Sequence, residues 1–237
     1  MYSGLMAKTI ALVEDDIALR ENYVSALASQ GYLIEAYSNK SEAQQAFEAS
    51  LPDMAILDIG LGNDIDGGFA LCQQLRAMSA TLPILFFTAR DNDVDTICGL
   101  RMGADDYLTK DISLAHLIAR VSALFRRAEL HHIPQQQEDV IDVGELKIDG
   151  KRMTVDYRKT RLDLTVTEFW MLHALAKHPG HVKSRQQLMQ DSHMVVDDTT
   201  ITSHIKRIRK KFVEVNPDFD SIQTVYGMGY RWLTSHA

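Results

Sequence analysis

Cysteine, proline and long apolar runs are all scarce in this chain of 237 residues. There are two cysteines, Cys72 and Cys98, both inside apolar-periodic segments. That excludes a disulfide scaffold and fits buried thiols in a reducing cytoplasm. Five prolines leave no room for a collagen-like chain. The longest apolar run, Leu82 to Phe87, is far short of the roughly 20 residues that cross a bilayer. Met1 to Lys8 has no charged n-region ahead of a long apolar stretch, so no secretory signal is expected. What is present is an ordinary globular composition, 46% hydrophobic and 24% charged, which excludes a disordered chain. The length suits one large domain or two smaller ones, and either can bury a core without staples.

The net charge of −7 hides an asymmetry. Residues 1–130 carry 10 Lys+Arg against 18 Asp+Glu, whereas residues 131–237 carry 15 against 14. Five basic residues of the second half fall in one short run: Lys206, Arg207, Arg209, Lys210 and Lys211. The first half is therefore suited to a cation and part of the second to an anion.

In the first half, apolar runs at Thr9–Val13, Tyr32–Ala36, Met54–Leu57, Ile84–Phe87 and Tyr107–Leu108 alternate with helical patterns. In the last of these, Leu114, Leu117, Ile118, Val121, Leu124 and Phe125 form a helical stripe. Gly31 marks the stop of the first helix. Five strands separated by helices predict an α/β fold with a parallel sheet covered on both faces. Its functional crevice then lies beyond the carboxyl ends of the strands.

That rule singles out five residues. Glu14 and Asp15 follow the first strand, Asp58 the third, Thr88 the fourth and Lys110 the fifth. In strand order 2-1-3-4-5 the first and third strands are neighbours, so three carboxylates converge. Two like charges 4 Å apart repel by about 4 kcal/mol at an effective dielectric of 20. Such a cluster calls for a divalent cation, a lysine or protonation. Hard oxygen ligands with room for water favour Mg²⁺, while Lys110 offers a balancing amine and Thr88 a hydroxyl. The set suits a phosphoryl group in transfer. Taken singly, each residue has a plainer role: Asp15 or Asp16 as a helix cap, Thr88 as a turn residue, Lys110 as a solvated cation.

At these positions the chain resembles the receiver domain of bacterial two-component response regulators. The matching stretches are Ala11–Asp16 (ALVEDD), Met54–Ile59 (MAILDI), Pro83–Arg90 (PILFFTAR) and Gly103–Lys110 (GADDYLTK). The resemblance implies a flavodoxin-like fold in which Asp58 accepts a phosphoryl group from a phosphohistidine on a partner kinase. It also implies Mg²⁺ held by Glu14, Asp15, Asp58 and the backbone carbonyl of Gly60, with Thr88 and Lys110 gripping the phosphoryl oxygens. Tyr107 matches the family's switch aromatic. Asp105 and Arg120 match a cross-subunit ion pair of the family's dimer, while Thr96 and His116 stand where another pair is usually charged. Two features depart from the pattern. Asp111 stands where a cis proline usually follows the lysine, so a trans bond and a differently aimed Lys110 amine are expected. The loop from Gly60 to Gly67 is one residue longer than usual, and Asp64 and Asp66 add negative charge to it.

Residues 129–140 are polar, contain Pro134 and the His131–His132 pair, and read as a linker. Beyond them lie short antiparallel strands over Asp142–Leu164, with turns at Asp149-Gly150 and near Lys159-Thr160. Helices are expected at Thr167–His178, Ser184–Gln190 and about Thr199–Val213, followed by a hairpin around Tyr226-Gly227-Met228-Gly229. In the third of these helices Ile201, Ile205, Ile208 and Phe212 form a buried stripe. Thr199, Ser203, Lys206, Arg207 and Lys210 fall largely on the other side, the footprint of a helix that reads a major groove or of a solvated surface helix.

This half resembles the OmpR/PhoB-type winged-helix output domain. The match runs through Leu164-Thr165, Glu168-Phe169, His178-Pro179-Gly180 and Ser184-Arg185, then Thr200-Ile201, His204-Ile205 and Arg207 to Lys210, and finally Gln223 to Val225, Gly227, Gly229 and Tyr230-Arg231. The resemblance implies duplex DNA binding, with the third helix in the major groove and the wing at the neighbouring minor groove. Lys206 and Arg207 are the leading candidates for phosphate or base contacts, joined by Thr199, Thr200, Ser203 and Lys210. His204 is either buried against the helices or a DNA contact. Tyr226 replaces the arginine of other members. Trp170 is packing or an exposed interaction point.

The expectation is a receiver at 1–128, a linker at 129–140 and a winged helix-turn-helix domain at 141–237. The whole is a cytoplasmic transcriptional regulator and not an enzyme, phosphorylated on Asp58 by a sensor histidine kinase and thereby promoted to dimerise and bind promoter DNA. Two alternatives remain: a receiver that dimerises without phosphorylation, and a Mg²⁺-dependent phosphohydrolase with Asp58 as nucleophile.

Overall fold

The computed structural model describes residues 7–129, 140–192 and 198–233. The His131–His132 pair and nearly all of the expected linker lie outside the described residues. The chain forms two compact units that divide between Ser122 and Ala123.

The first unit carries a parallel sheet of β1 (Thr9–Val13), β2 (Leu33–Tyr37), β3 (Met54–Leu57), β4 (Ile84–Thr88) and β5 (Asp106–Thr109) in the expected order β2-β1-β3-β4-β5. Between the strands run α1 (Ile17–Ala28), α2 (Lys40–Ala49), α3 (Gly67–Met78) and α4 (Asp93–Met102), and α5 (Leu114–Glu129) follows β5. Residues of β3 and β4 are buried throughout, as continuous apolar strands covered on both faces must be. Alternation divides the core. Val13, Leu57 and Phe86 cluster with Phe47 of α2, Leu75 of α3 and Leu100 of α4. Phe87 meets Tyr23 of α1, with ring centroids 4.9 Å apart. In α5 the apolar stripe buries Leu117, Val121, Leu124 and Phe125.

Register sets the site. Val13 pairs with Leu57 across β1 and β3, so Glu14 and Asp58 are the next residues on adjacent strands. Thr88 pairs with Thr109 across β4 and β5, so Lys110 comes one step beyond. Of the two candidate capping aspartates, Asp16 takes the role: its side chain accepts from the Leu19 N–H at 2.9 Å. Asp15 is thereby left to the crevice.

The second unit includes the last turns of α5. There Arg127 is buried and donates to Thr167 Oγ1 at 2.8 Å, and the Trp170 indole donates to the Arg127 carbonyl at 3.1 Å. Trp170 is therefore a packing residue and not an exposed one. A four-stranded antiparallel sheet follows, β6 (Val140–Val143), β7 (Leu146–Asp149), β8 (Thr154–Tyr157) and β9 (Thr160–Leu162). Then come α6 (Val166–Ala176), α7 (Arg185–Asp191), α8 (Asp198–Val215) and the hairpin of β10 (Ile222–Val225) and β11 (Gly229–Trp232). All of α6 is buried, and Ile201, Ile205, Ile208 and Phe212 of α8 join its core as the sequence stripe predicts.

The β8–β9 turn places Arg158 and Lys159 at φ 50° and 65°, where asparagine or glycine is favoured. Lys159→Gly is expected to raise stability by about 0.5–1 kcal/mol, because relief of the left-handed strain outweighs the added freedom of the unfolded chain. Urea denaturation measures it, and a lowered midpoint would show that relief of strain does not outweigh that freedom.

Candidate functional site

Carboxylate oxygens of Glu14, Asp15 and Asp58 lie within 4.8 Å of one another. Glu14 and Asp58 are buried, and Asp15 stands at the open side. Lys110 Nζ lies 2.6 Å from Glu14 and 2.5 Å from Asp58, bridging them as the counter-charge such a cluster requires. Burial raises the Glu14 carboxyl above the usual carboxylate range, although Lys110 pulls the other way. Burial opposes the Lys110 ammonium, but hydrogen bonds to Asp58 and Glu14 outweigh it and hold the amine protonated to higher pH. Three carboxylates at one open edge are the hard, anionic donor set that a small divalent cation takes.

The expectation that Lys110 would be differently aimed is overturned. No cis bond occurs among the described residues, so the Lys110–Asp111 peptide is trans, yet the amine reaches both acids. The Lys110 N–H bonds to the Thr88 carbonyl at 2.8 Å, continuing the ladder and fixing where the side chain starts. The Asp111 carboxylate accepts from the Thr109 hydroxyl, a neutral partner. The acids of the longer loop have cationic partners: Asp64 pairs with Lys40 and Asp66 with Arg90 at 3.3 Å. Gly60 opens that loop two positions past Asp58, and the Gly62 N–H donates to Asp15 at 3.0 Å.

Thr88 is buried at the end of β4, with its hydroxyl accepting from the Arg90 N–H at 3.4 Å. Tyr107 is turned inward, its hydroxyl donating to the Arg90 carbonyl at 2.8 Å and its pKa pushed up to about 12 by burial. Asp105 corrects the sequence reading. It is 0% exposed, 2.6 Å from Arg76, and accepts from the Ile84 N–H, so it is an internal strut and cannot meet a second chain. Arg120 reaches the neighbouring Asp106 at 3.4 Å instead.

In the second unit, α8 packs against α6, α7 and β9, which widens its buried arc beyond the predicted stripe. Lys206 and Lys210 are exposed. Thr200, Ser203 and His204 are buried, so none of these three presents itself to a ligand. Arg207 is only 9% exposed, and its Nε lies 2.9 Å from Glu168 Oε1. Sequence reasoning placed it on the outer face, but Glu168 claims it for the core. The Thr199 side chain lies outside the described residues. Glu168 itself was missed as a charge anchor, though the capping box it completes with Thr165 was readable as Thr-x-x-Glu ahead of an apolar run. Tyr226 stands at the hairpin tip, 93% exposed.

An acidic crevice at the head of a parallel sheet, followed by a helical unit with a basic outer helix and a hairpin, defines a signal-receiving module joined to a DNA-binding one. Comparison with known proteins agrees. Residues 10–122 match the response regulator receiver domain, and residues 159–232 match the C-terminal domain of transcriptional regulatory proteins. The chain is 38% identical over 229 residues to the transcriptional regulatory protein CreB of Escherichia coli K12, covering 95% of this chain and 98% of that one. It is 35% identical over 231 residues to the phosphate regulon regulator PhoB of Klebsiella pneumoniae, covering 96% and 98%. A solved RitR mutant shares the fold at TM-score 0.73 and 22% identity, covering 97% of this chain and all of that one. The chain belongs to the OmpR/PhoB family of response regulators. It is a two-component transcriptional response regulator, with a receiver and a winged-helix DNA-binding domain.

Proposed function

We propose that Asp58 is the phosphoacceptor and that its phosphorylation controls DNA binding. The observation that carries this is Lys110 set between Glu14 and Asp58 at hydrogen-bond distance, with Asp15 at the open edge. A carboxylate oxygen of Asp58 attacks the phosphorus of a phosphohistidine on a sensor kinase, and the P–N bond to the imidazole breaks. Glu14, Asp15, Asp58 and the Gly60 carbonyl would hold Mg²⁺, which neutralises charge on the transferring oxygens when bound. Lys110 then exchanges a carboxylate partner for a phosphoryl oxygen, and the Thr88 hydroxyl donates to another. Tyr107 follows Thr88 through the Arg90 backbone that both contact.

The phosphorylated protein would pair through its receivers in the cytoplasm, with Arg120 at the pairing face, and place two winged helices on adjacent half-sites. The chain is read as a regulator and not as a phosphohydrolase, in line with relatives that are transcriptional regulators. Acetyl phosphate with Mg²⁺ is expected to add one phosphoryl group by intact mass, and Asp58→Asn to abolish the addition. A phosphoryl group retained in that variant places the acceptor elsewhere.

Lys206 and Lys210 are the proposed α8 contacts to DNA phosphates. Each alanine substitution is expected to flatten the slope of log affinity against log salt by about 0.9 for one lost phosphate contact. Arg207→Ala is expected to lower stability while leaving that slope alone, because its charge is spent on Glu168. Equal slopes for Lys206→Ala and the wild type would remove that lysine from the interface.

A further inference from the structure

The hairpin of β10 and β11 is held as one body with α8. Arg209 of α8 donates to the Ile222 carbonyl at 2.8 and 3.0 Å and to Thr224 Oγ1 at 2.9 Å. Thr202 of α8 and Tyr230 share a hydroxyl contact at 3.3 Å. The base of the hairpin is pinned by reciprocal backbone bonds between Lys183 and Tyr230, at 2.8 and 2.9 Å. Gly229 makes that approach possible: at φ 137° a Cβ there would sit 2.0 Å from the Lys183 carbonyl oxygen. The Met228 N–H closes the turn onto the Val225 carbonyl at 2.9 Å.

This rigid mount presents an apolar tip. Tyr226 is 93% exposed and Met228 61%, and Tyr226 is the most exposed large hydrophobic residue among those described. From Ile222 to Trp232 the sequence has a single charge, Arg231, which donates to Gln223 at 3.0 Å. Scattered exposed apolar residues need no explanation, but two on one fixed turn beside a DNA-binding helix form a surface. A helix such as α8 fills the roughly 12 Å major groove. A turn fixed to its flank then meets the adjoining backbone and minor groove. An uncharged tip offers a phosphate no charge, only the Tyr226 hydroxyl. It matches sugar edges and base steps, against which apolar side chains press as wedges.

We infer that the wing tip of this chain is an apolar minor-groove probe: Tyr226 and Met228 contact sugars and base edges and favour a deformable pyrimidine–purine step beneath the wing over a narrow A-tract. The inference rests on the DNA-binding reading and adds to it the sequence feature that the wing selects. Narrow A-tract grooves reward inserted cations, which this tip lacks, whereas TA and CA steps yield to an inserted ring or thioether.

The test uses the full-length protein and a duplex it enriches from a random pool, remade with a TA step, an A-tract or a G·C run in the flank under the wing. Affinity is read by fluorescence anisotropy across a salt series. The wild type is expected to prefer the TA flank. The Tyr226→Ala, Met228→Ser pair is expected to lose about tenfold in affinity for it, as for one aromatic contact, with an unchanged salt slope and flattened flank preference. Tyr226→Arg is expected to steepen the slope by about 0.9 and to move the best flank to the A-tract. Both tip residues are exposed, so folding is little at risk, and matching melting curves confirm it. Unchanged affinity and flank preference in the double variant overturns the inference. So does a Tyr226→Phe variant that loses as much affinity as the double variant on every flank, since the hydroxyl would then be bonding a phosphate. If the wild type enriches no duplex at all, the DNA-binding reading fails and the wing with it; if it does and Lys206→Ala flattens the slope, failure at the tip belongs to the tip alone.

Discussion

Glu168→Ala is expected to destabilise the second unit by about 3–5 kcal/mol, the range for removing one partner of a buried ion pair. The carboxylate is 0% exposed and holds two cations, Arg207 at 2.9 Å and Lys211 at 2.6 Å. Its Oε2 also accepts the Thr165 N–H at 2.8 Å, so the same group caps α6 and ties it to α8. Truncation takes this carboxylate from both cations, while Lys211 keeps its bond to the Asp163 carbonyl at 2.6 Å. Burial alone would raise the Glu168 pKa, but Arg207 and Lys211 outweigh it and hold it below the ordinary value of 4.5. The stabilisation is therefore complete above that value and is lost as pH falls through the lower, folded one. Both tryptophans, Trp170 and Trp232, lie in this unit, so urea unfolding followed by indole fluorescence reports on it directly. A loss below 1 kcal/mol would show the triad to be replaceable packing. A Glu168→Gln, Arg207→Met pair, which removes charge from both sides, is expected to recover part of the loss.

The receiver was legible because its information is carried by short, independent signals. Five apolar runs marked the sheet, and the carboxyl ends of four of them marked Glu14, Asp58, Thr88 and Lys110. The parallel register then makes their convergence a geometric necessity. What the sequence concealed were choices between neighbours of like type. Asp105 and Asp106 are both acids at the start of one strand, yet the pleat sends one inward to Arg76 and the other towards Arg120. Arg207 sits one position from Lys206, yet a step of about 100° turns one to Glu168 and leaves the other in solvent. A helical wheel with a single buried stripe could not show that α8 packs against α6, α7 and β9 at once. The Lys110 amine was misjudged for a related reason. The trans peptide changes the local loop, but the ladder bond to Thr88 sets the strand end and four methylenes cover the rest of the reach.

Gly68→Ala is expected to cost about 3 kcal/mol or more and to suppress phosphorylation of Asp58 together with stability. Gly68 lies in the first turn of α3, and its N–H bonds to the Ile59 carbonyl at 2.9 Å. A Cβ there would lie 1.9 Å from the Asp58 carbonyl oxygen and 2.8 Å from the Ile59 Cα. Both obstacles are backbone, so no rotamer change relieves the overlap, and α3 must retreat from the strand end that carries the phosphoacceptor. Its retreat drags the Asp58–Gly60 segment out of register with Glu14, which belongs to a different strand and does not follow. Gly67→Ala is the matched control. The nearest contacts of its Cβ would be side-chain atoms of Asp64 and Leu61 at 3.2–3.3 Å, a milder crowding than backbone at 1.9 Å. Far-ultraviolet circular dichroism during urea unfolding and the rate of labelling by acetyl phosphate separate the two substitutions. If Gly68→Ala labels as fast as Gly67→Ala, the close contact of α3 with the end of β3 does not hold Asp58 in place.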